Sequence, residues 1–312
     1  MKILVAHDGS GGADAALDDL KNAGLPKAVE ALVMTLADVV VPPSINEGVD
    51  NTFPTDLPKG VRRAHERAGQ RVKEAEAIAK RAAEKIKKEF PAWQVGHEAF
   101  ADSPTWALIR KAAEWKADLI VLGALGHSLL GGRLILGSVS QRVLYESGCS
   151  VRVARKSLRN AGAPLRIVIA IDNSANSHAA VDVVFRRKWP AGTEVRLLAV
   201  VDTVMSINPD PSQPSIPRWI EVDDEKNWDK VRQIFQPSVD KLRSVGLDAA
   251  VMIRRGNPKN EVIEEAETWG ADCIFVGARG IRGIEHLLLG SVSSAVSARA
   301  HCSVEVVRES GY

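Results

Sequence analysis

The amino-acid sequence carries one pattern twice, and this repetition constrains the fold more than any other feature. Residues 99–126 align with residues 253–280 without a gap, at a separation of 154 residues. The shared residues pair as Pro104 with Pro258, Trp115 with Trp269, Asp118 with Asp272, Gly123 with Gly277 and Gly126 with Gly280. The starts of the two copies, residues 2–10 and 166–174, also match. We therefore predict two copies of one domain, over residues 1–155 and 165–309, in this chain of 312 residues.

The separation between matched positions shows where the copies differ in length. Asp8 and Asp172 lie 164 residues apart, and so do Asp38 and Asp202, which close the second apolar run of each copy. The separation falls by ten before the third run, within segments in which prolines accumulate. These segments are predicted to be two long surface loops, and the polar stretch 156–164 is the predicted linker.

Each copy alternates short apolar runs with helical patterns. In the first copy the β-rich runs are 3–7, 31–37, 95–100, 118–123 and 150–155, and helices are predicted over 64–90 and 105–116. The second copy has the same order. Near-continuous apolar strands separated by helices are typical of parallel sheets that are buried on both faces. The sequence therefore predicts an α/β fold, a doubly wound parallel-sheet sandwich present twice in tandem.

The bulk composition favours no extended charged partner. The formal net charge is +2, charged residues make up 26% of the chain and hydrophobic residues 45%. We therefore expect neither nucleic acid nor a membrane as a partner. Cys149, Cys273 and Cys302 lie in apolar runs without metal-ligand spacing, which favours buried reduced thiols in a cytoplasmic protein.

Glycines and serines follow the fourth strand of each copy, at the edge where parallel sheets bind ligands. In the second copy two residues separate Gly277 from Gly280, and nine more precede Gly290 and a predicted helix. Glycines let the backbone approach phosphate oxygens, and the free N–H groups at a helix start favour an anion. Ser291 and Ser293 are predicted to cap this helix and to donate to phosphate. The alternative is a tight turn with Ser291 as an ordinary cap.

The spacing Gly-x2-Gly-x9-Gly-Ser resembles the ATP-binding signature of the universal stress protein family. The likeness covers essentially the whole chain, once per copy, and includes Asp172 after the first strand and the ending CSVEVVR, with Ser303 in place of the family's proline. The resemblance implies an adenine nucleotide alpha hydrolase-like fold. It also implies that Asp172 lies at the ribose and adenine end and that the backbone near Val200 meets the adenine edge. The residues that it implies for the phosphates are Gly277, Gly280, Gly290, Ser291 and Ser293.

The first copy carries the matching residues with one departure. These residues are Asp8, Leu36, Gly123, Gly126, Gly137, Ser138 and Ser140. Ten residues separate Gly126 from Gly137, where the family has nine, and the pair Gly131-Gly132 either absorbs the insertion or displaces the cradle. We therefore expect a nucleotide site in the second copy and leave the first copy open.

The family resemblance implies pairing through the last strands, residues 150–155 and 303–308. In a tandem chain this pairing can form inside one molecule, as a pseudo-dimer that is free to dimerise again. Exposed apolar edge strands need such a partner. The leading hypothesis is an ATP-binding regulatory or stress-response protein in which any hydrolysis or autophosphorylation is slow. Two alternatives stay open: a nucleotide-free scaffold, and an enzyme of the wider adenine-nucleotide-binding superfamily.

Several further residues invite a functional interpretation. Arg279 is a candidate phosphate partner because its guanidinium is always charged, with a plain surface arginine as the alternative. His127 is the second candidate, with a solvated loop histidine as the alternative. Asp8 with Asp38, and Asp172 with Asp202, are conceivable acid/base or Mg²⁺ pairs, although no nucleophile accompanies them. Residues 10–15, SGGADA, are similar to a pyrophosphate-binding loop but are better explained as a glycine-rich turn into the first helix.

Overall fold

A computed structural model describes residues 1–37, 59–125, 136–156, 162–201, 225–280 and 289–309. Several predictions fall outside these ranges. They concern Asp38, Asp202, Gly126, His127, the pair Gly131-Gly132, the two proline-rich loops and the centre of the linker, 157–161.

The first repeat alternates strands and helices in the predicted order. Its strands are β1 (Lys2–Ala6), β2 (Glu30–Ala37), β3 (Gln94–Ala101), β4 (Leu119–Gly123) and β5 (Ser150–Ala154). Its helices are α1 (Gly11–Asp19), extended by a 3-10 turn (Leu20–Asn22), α2 (Lys59–Glu89), α3 (Pro104–Trp115) and α4 (Ser138–Glu146). Ser10 caps α1 by accepting from the Ala13 backbone N–H at 3.2 Å, so the glycine-rich segment is a turn into a helix.

The second repeat has the same elements. Its strands are β6 (Arg166–Ile171), β7 (Glu194–Val201), β8 (Asp248–Arg255), β9 (Cys273–Gly277) and β10 (Ser303–Val307). Its helices are α5 (Ala175–Arg186), α6 (Glu225–Arg243), α7 (Pro258–Trp269) and α8 (Ser291–Arg299). α3 and α7 both begin with a proline, which fits the first helical position because its missing N–H is not needed there.

The strands form one continuous sheet. Its order is β3-β2-β1-β4-β5-β10-β9-β6-β7-β8. All pairs within a repeat are parallel, whereas β5 and β10 are antiparallel, with Arg152 opposite Glu305. The doubly wound α/β fold is thus confirmed, and the last strands pair inside one molecule as the family resemblance implied.

The two faces of the sheet are packed differently. One hydrophobic core runs across both repeats and includes Leu108 of α3, Val143 of α4, Val262 of α7 and Val296 of α8. On the opposite face each repeat has its own core, under α1 and α2 and under α5 and α6. Burial of apolar side chains on both faces explains why the strands are apolar along their whole length.

Two arginines at equivalent positions each donate hydrogen bonds from one repeat to the other. Arg155, just after β5, donates to the carbonyl oxygens of Ser297 (2.5 Å) and Cys302 (3.3 Å) at the end of α8. Arg308, just after β10, donates to the carbonyl oxygens of Leu144 and, at 3.1 Å, of Cys149 at the end of α4. Each guanidinium therefore satisfies carbonyl groups that a helix end leaves open in the other repeat.

The three cysteines are free thiols; Cys273 and Cys302 are buried as predicted, whereas Cys149 is half-buried. Burial raises the pKa of Cys273 to about 12 and also raises the pKa values of Cys149 and Cys302. A raised pKa disfavours the thiolate that would act as a nucleophile, so we interpret these thiols as packing groups of the core.

Candidate functional site

The residues that precede and follow the loop after β9 lie close together, at the carboxyl end of that strand. The Gly290 backbone N–H donates to the Ala278 carbonyl oxygen at 2.7 Å, and the Ser293 hydroxyl donates to the Gly277 carbonyl oxygen at 2.6 Å. These two bonds hold the first turn of α8 against the end of β9. The helix start, with its unpaired N–H groups and positive dipole end, therefore lies at the edge of the sheet where ligands are expected.

The predicted roles of the serines need correction. Gly290, not Ser291, is the N-cap residue of α8, and its extended backbone (φ −76°, ψ 160°) is followed directly by the helix. Ser293 is 2% exposed and its hydroxyl donates to the Gly277 carbonyl oxygen, so it does not cap α8; its contact with a phosphate stays a prediction. A buried hydroxyl takes the nearest acceptor, and here that acceptor is in the turn. The main-chain N–H groups at the start of α8 and the exposed Ser291 hydroxyl remain as donors for an anion.

Asp172 approaches the same loop from the neighbouring strand β6. Its Oδ1 accepts from the Ser174 backbone N–H at 3.1 Å, which fixes the carboxylate at the start of α5. A Cβ atom added to Gly280 would lie 2.4 Å from Asp172 Oδ2. The structure thus brings Asp172 and Gly280 together, and a side chain at position 280 would push the Asp172 carboxylate out of its present place.

Gly277 has a different requirement. A Cβ atom at this position would lie 2.7 Å from the backbone carbon of Asn176 in α5. The glycine therefore lets the helix pack directly on the strand end, and this packing alone demands glycine whether or not a ligand is bound.

Val200 lies level with Asp172 on the adjacent strand. Ile171 pairs with Ala199 in the parallel ladder, so the residues that follow them, Asp172 and Val200, lie side by side at the carboxyl edge of the sheet. Val200 is half-buried and packs against the shared core.

Two arginines lie near this edge. Arg279 lies between Gly277 and Gly280 and is partly exposed. Burial lowers the pKa of Arg308 to about 10, and the positive charge of Arg279 nearby also lowers it.

The first repeat repeats this geometry. The Gly137 backbone N–H donates to the Ala124 carbonyl oxygen at 2.8 Å, and the Ser140 hydroxyl donates to the Gly123 carbonyl oxygen at 2.7 Å. A Cβ atom on Gly123 would lie 2.4 Å from the Gly12 carbonyl oxygen. Gly137 is the N-cap residue and Ser138 the first residue of α4, so neither serine caps that helix.

Asp8 and Leu36 of the first repeat occupy the positions that Asp172 and Val200 occupy in the second repeat. Asp8 Oδ1 accepts from the Ser10 backbone N–H at 2.9 Å, and Leu36 lies just before the end of β2, half-buried. The shared spacing Asp-x-Ser at the end of the first strand is a signal of this turn that sequence reasoning passed over. Gly126 lies outside the described residues.

No metal centre is visible in the part of the chain that the structure describes. Within it, no group of three His, Cys, Asp or Glu side chains is placed to hold an ion. A cavity of about 400 Å³ lies elsewhere, against α1, and is lined in part by Asp14, Asp18, Arg155 and Lys156. It does not reach the glycine loop.

Comparison with known proteins decides the family. The family model described as the universal stress protein family matches residues 1–155 and again residues 165–308. The chain belongs to the universal stress protein family.

Individual universal stress proteins match at modest identity. YxiE of Bacillus subtilis strain 168 is 29% identical over 146 residues, which is 46% of this chain and 98% of YxiE. A universal stress protein of Mycolicibacterium smegmatis is 30% identical over 199 residues, or 63% of each chain. A solved universal stress protein from Archaeoglobus fulgidus DSM 4304 has a TM-score of 0.64 and 20% identity, covers 98% of each chain, and shares the fold. Among the described helices of this universal stress protein, none is long and apolar enough to cross a membrane.

Proposed function

We propose that this universal stress protein binds ATP at the carboxyl edge of its second repeat and acts as a nucleotide-dependent regulatory protein. The observation that carries the proposal is the convergence of three elements on one point. The start of α8, the glycine turn after β9 and the carboxylate of Asp172 meet there, close enough that a Cβ atom on Gly280 would displace the carboxylate.

Each group in this edge has a chemical task that suits a nucleoside triphosphate. The backbone N–H groups of residues 291–293 and the helix dipole would hold the phosphates, with Arg279 as a charged partner. Asp172 would accept hydrogen bonds from the ribose, and the backbone at Val200 would meet the adenine edge. Mg²⁺, if it accompanies the ATP, would be held mainly by the phosphate oxygens.

We propose no dedicated reaction for this site. The Asp172 carboxylate accepts a hydrogen bond from the Ser174 backbone N–H, an arrangement that suits holding a ribose hydroxyl rather than acting as a general base. Hydrolysis or self-phosphorylation would therefore be slow, and ATP would act by stabilising one arrangement of the loop. The free thiols fit the proposed cytoplasmic setting.

A specific observation supports a second candidate, a scaffold that binds no nucleotide. Gly123 and Gly277 are demanded by helix–strand packing, so part of the glycine pattern would persist without a ligand. The loop of the first repeat is also one residue longer than that of the second. This candidate applies first to repeat 1.

The matched aspartates provide the experiment. The protein is purified without added nucleotide, heated, and the released nucleotide is quantified by chromatography and mass spectrometry; the nucleotide-free protein is then titrated with ATP by calorimetry. We expect Asp172→Ala to reduce ATP affinity at least tenfold. Asp8→Ala, the same change at the equivalent turn of repeat 1, should leave the repeat 2 site unchanged and remove a second site if one exists. Absence of both co-purified nucleotide and ATP binding would favour the scaffold, and rapid multiple turnover would favour an enzyme.

A further inference from the structure

A chain of four buried charges lies where the two repeats meet. Asp19 of α1 accepts from Arg152 Nε at 2.6 Å and from Arg152 Nη2 at 3.2 Å. Arg152 Nη1 donates to Glu305 Oε2 at 3.1 Å, and Glu305 also accepts from both terminal nitrogens of Arg187, at 2.8 Å for Nη1. The side chains of Arg152 and Glu305 are 0% exposed. The charges therefore alternate along the series, negative, positive, negative, positive.

The two central residues, Arg152 and Glu305, lie at equivalent positions of the two repeats. If two identical strands paired in the same register, each of these residues would face its own copy. Arg152 and Glu305 are equivalent, because 153 residues separate them just as they separate Gly137 from Gly290 and Cys149 from Cys302. They are also direct partners in the antiparallel ladder between β5 and β10. If β5 paired in this register with β5 of another chain, Arg152 would therefore face Arg152, and in a pair of β10 strands Glu305 would face Glu305.

We propose that this position is a pairing code by which the last strand of each repeat accepts the other repeat and rejects a copy of itself. The occupant that the code selects for repeat 1 is repeat 2, of the same chain or of a second copy. Asp19 and Arg187 each belong to the same repeat as the central charge that they contact. Asp19 also accepts from the Ser303 hydroxyl at 2.8 Å, and Arg187 donates to the Ala23 carbonyl oxygen at 2.9 Å, both across the junction. Among the ion pairs of this cluster, only the one between Arg152 and Glu305 changes sign between the mixed and the self pairings.

Like charges that face each other across a ladder are destabilising, and the effect is larger without water. A self pairing of repeat 1 would place the charges in the order negative, positive, positive, negative. The mixed pairing replaces that central repulsion with a hydrogen-bonded ion pair. Specificity of this kind needs a repulsive element against the wrong partner as well as an attractive one for the right partner.

A second contact favours the same mixed pairing through shape. The ring of Trp189 packs on Gly24, where an added Cβ would lie 2.8 Å from the ring, and the Lys188 backbone N–H donates to the Gly24 carbonyl oxygen at 2.9 Å. At the separation of 164 residues that relates these segments, Gly24 corresponds to Lys188 and Leu25 to Trp189. A self pairing of repeat 2 would set Trp189 against a lysine, and a self pairing of repeat 1 would set Leu25 against Gly24 and lose the aromatic contact.

Such a code allows the two edge strands of one chain to pair with each other. A chain with two self-pairing edges can satisfy them only by joining other copies, one at each edge. A chain whose two edges accept each other can instead close on itself, and the short linker favours this closure over the addition of a second copy. The code thus keeps the tandem chain as a finite pseudo-dimer and protects both edge strands from further association.

The test cuts the linker after the whole chain has folded. A specific protease site is inserted between residues 156 and 162, the folded protein is cleaved, and isotope-labelled and unlabelled samples are mixed until their halves have exchanged. Native mass spectrometry then separates the mixed dimer from the two self-paired dimers, because the halves differ in mass. We expect the unsubstituted protein to give the mixed dimer with less than a tenth of the halves in self-paired dimers.

Three variants test the code itself. In the neutral variant Asp19→Val and Arg187→Ala introduce the residues of the other repeat, and Arg152→Met and Glu305→Met remove the central charges. Self-paired dimers should then appear, and should approach the statistical quarter each when Trp189→Leu is added. Arg152→Lys keeps the sign of the charge and should keep the pairing mixed. Two results would overturn the proposal. One is a statistical share of self-paired dimers in the unsubstituted protein. The other is the absence of self-paired dimers in the variant that combines the four neutral substitutions with Trp189→Leu.

Discussion

Replacing Glu305 by glutamine removes one negative charge from the junction of the repeats while leaving the volume of the side chain unchanged. Glu305 is fully buried and faces two guanidinium groups, those of Arg152 and Arg187. The substitution leaves Asp19 as the one carboxylate of this four-residue cluster against two arginines. A buried positive charge is then uncompensated, and no cavity contributes to the effect because glutamine fills the same space.

The expected loss follows from the burial of the cluster. Removing one partner of a buried ion pair costs about 3–5 kcal/mol of unfolding free energy, since the remaining charge keeps its desolvation penalty. The matched control is Glu146→Gln. Glu146 accepts from Arg142 Nε at 2.9 Å, but the two side chains are 32% and 55% exposed. The same chemical change should therefore cost less than about 1 kcal/mol there.

Urea titration followed by circular dichroism and tryptophan fluorescence measures both variants against the unsubstituted protein. We expect the midpoint to fall clearly for Glu305→Gln and to stay nearly unchanged for Glu146→Gln. Equal effects of the two substitutions would refute the reasoning, because they would mean that burial does not amplify the charge contacts at the junction.

Three further substitutions probe other parts of the account. Arg308→Ala removes two bonds to the end of α4 and should lower the unfolding free energy by about 2–4 kcal/mol in the same titration. Gly277→Ala should cost about 1–3 kcal/mol because its Cβ would meet the Asn176 backbone, whereas Gly148→Ala, with nothing within 4 Å, should be near neutral by thermal melting. Burial lowers the pKa of His7, so the unfolded state binds the proton more readily; stability should fall as the pH drops below about 6.5, and His7→Ile should weaken that fall in melts between pH 5 and 8.

Much of the fold follows from the sequence alone. The strands begin and end within one or two residues of the predicted limits, because apolar runs that are buried on both faces stand out against amphipathic helices. The duplicated glycine spacing also located the loop after the fourth strand. Both signals are local, and each appears twice in the chain.

The details of the site and the junction depend on contacts between distant segments. The Ser293 hydroxyl turns to Gly277, sixteen residues away, although its spacing suggested a helix cap or a phosphate donor. Asp19 contacts Arg152 at a separation of 133 residues, and no periodic pattern in the sequence predicts that contact. Nothing in the spacing of single charges reveals which ones a strand pairing will bring face to face.

The most direct test of the proposed nucleotide site is hydrogen–deuterium exchange with and without ATP. We expect ATP to slow exchange at the backbone amides of residues 291–293, with a smaller effect at residues 278–280. Unchanged exchange at these amides under saturating ATP would contradict the central claim that the start of α8 presents its N–H groups to the phosphates.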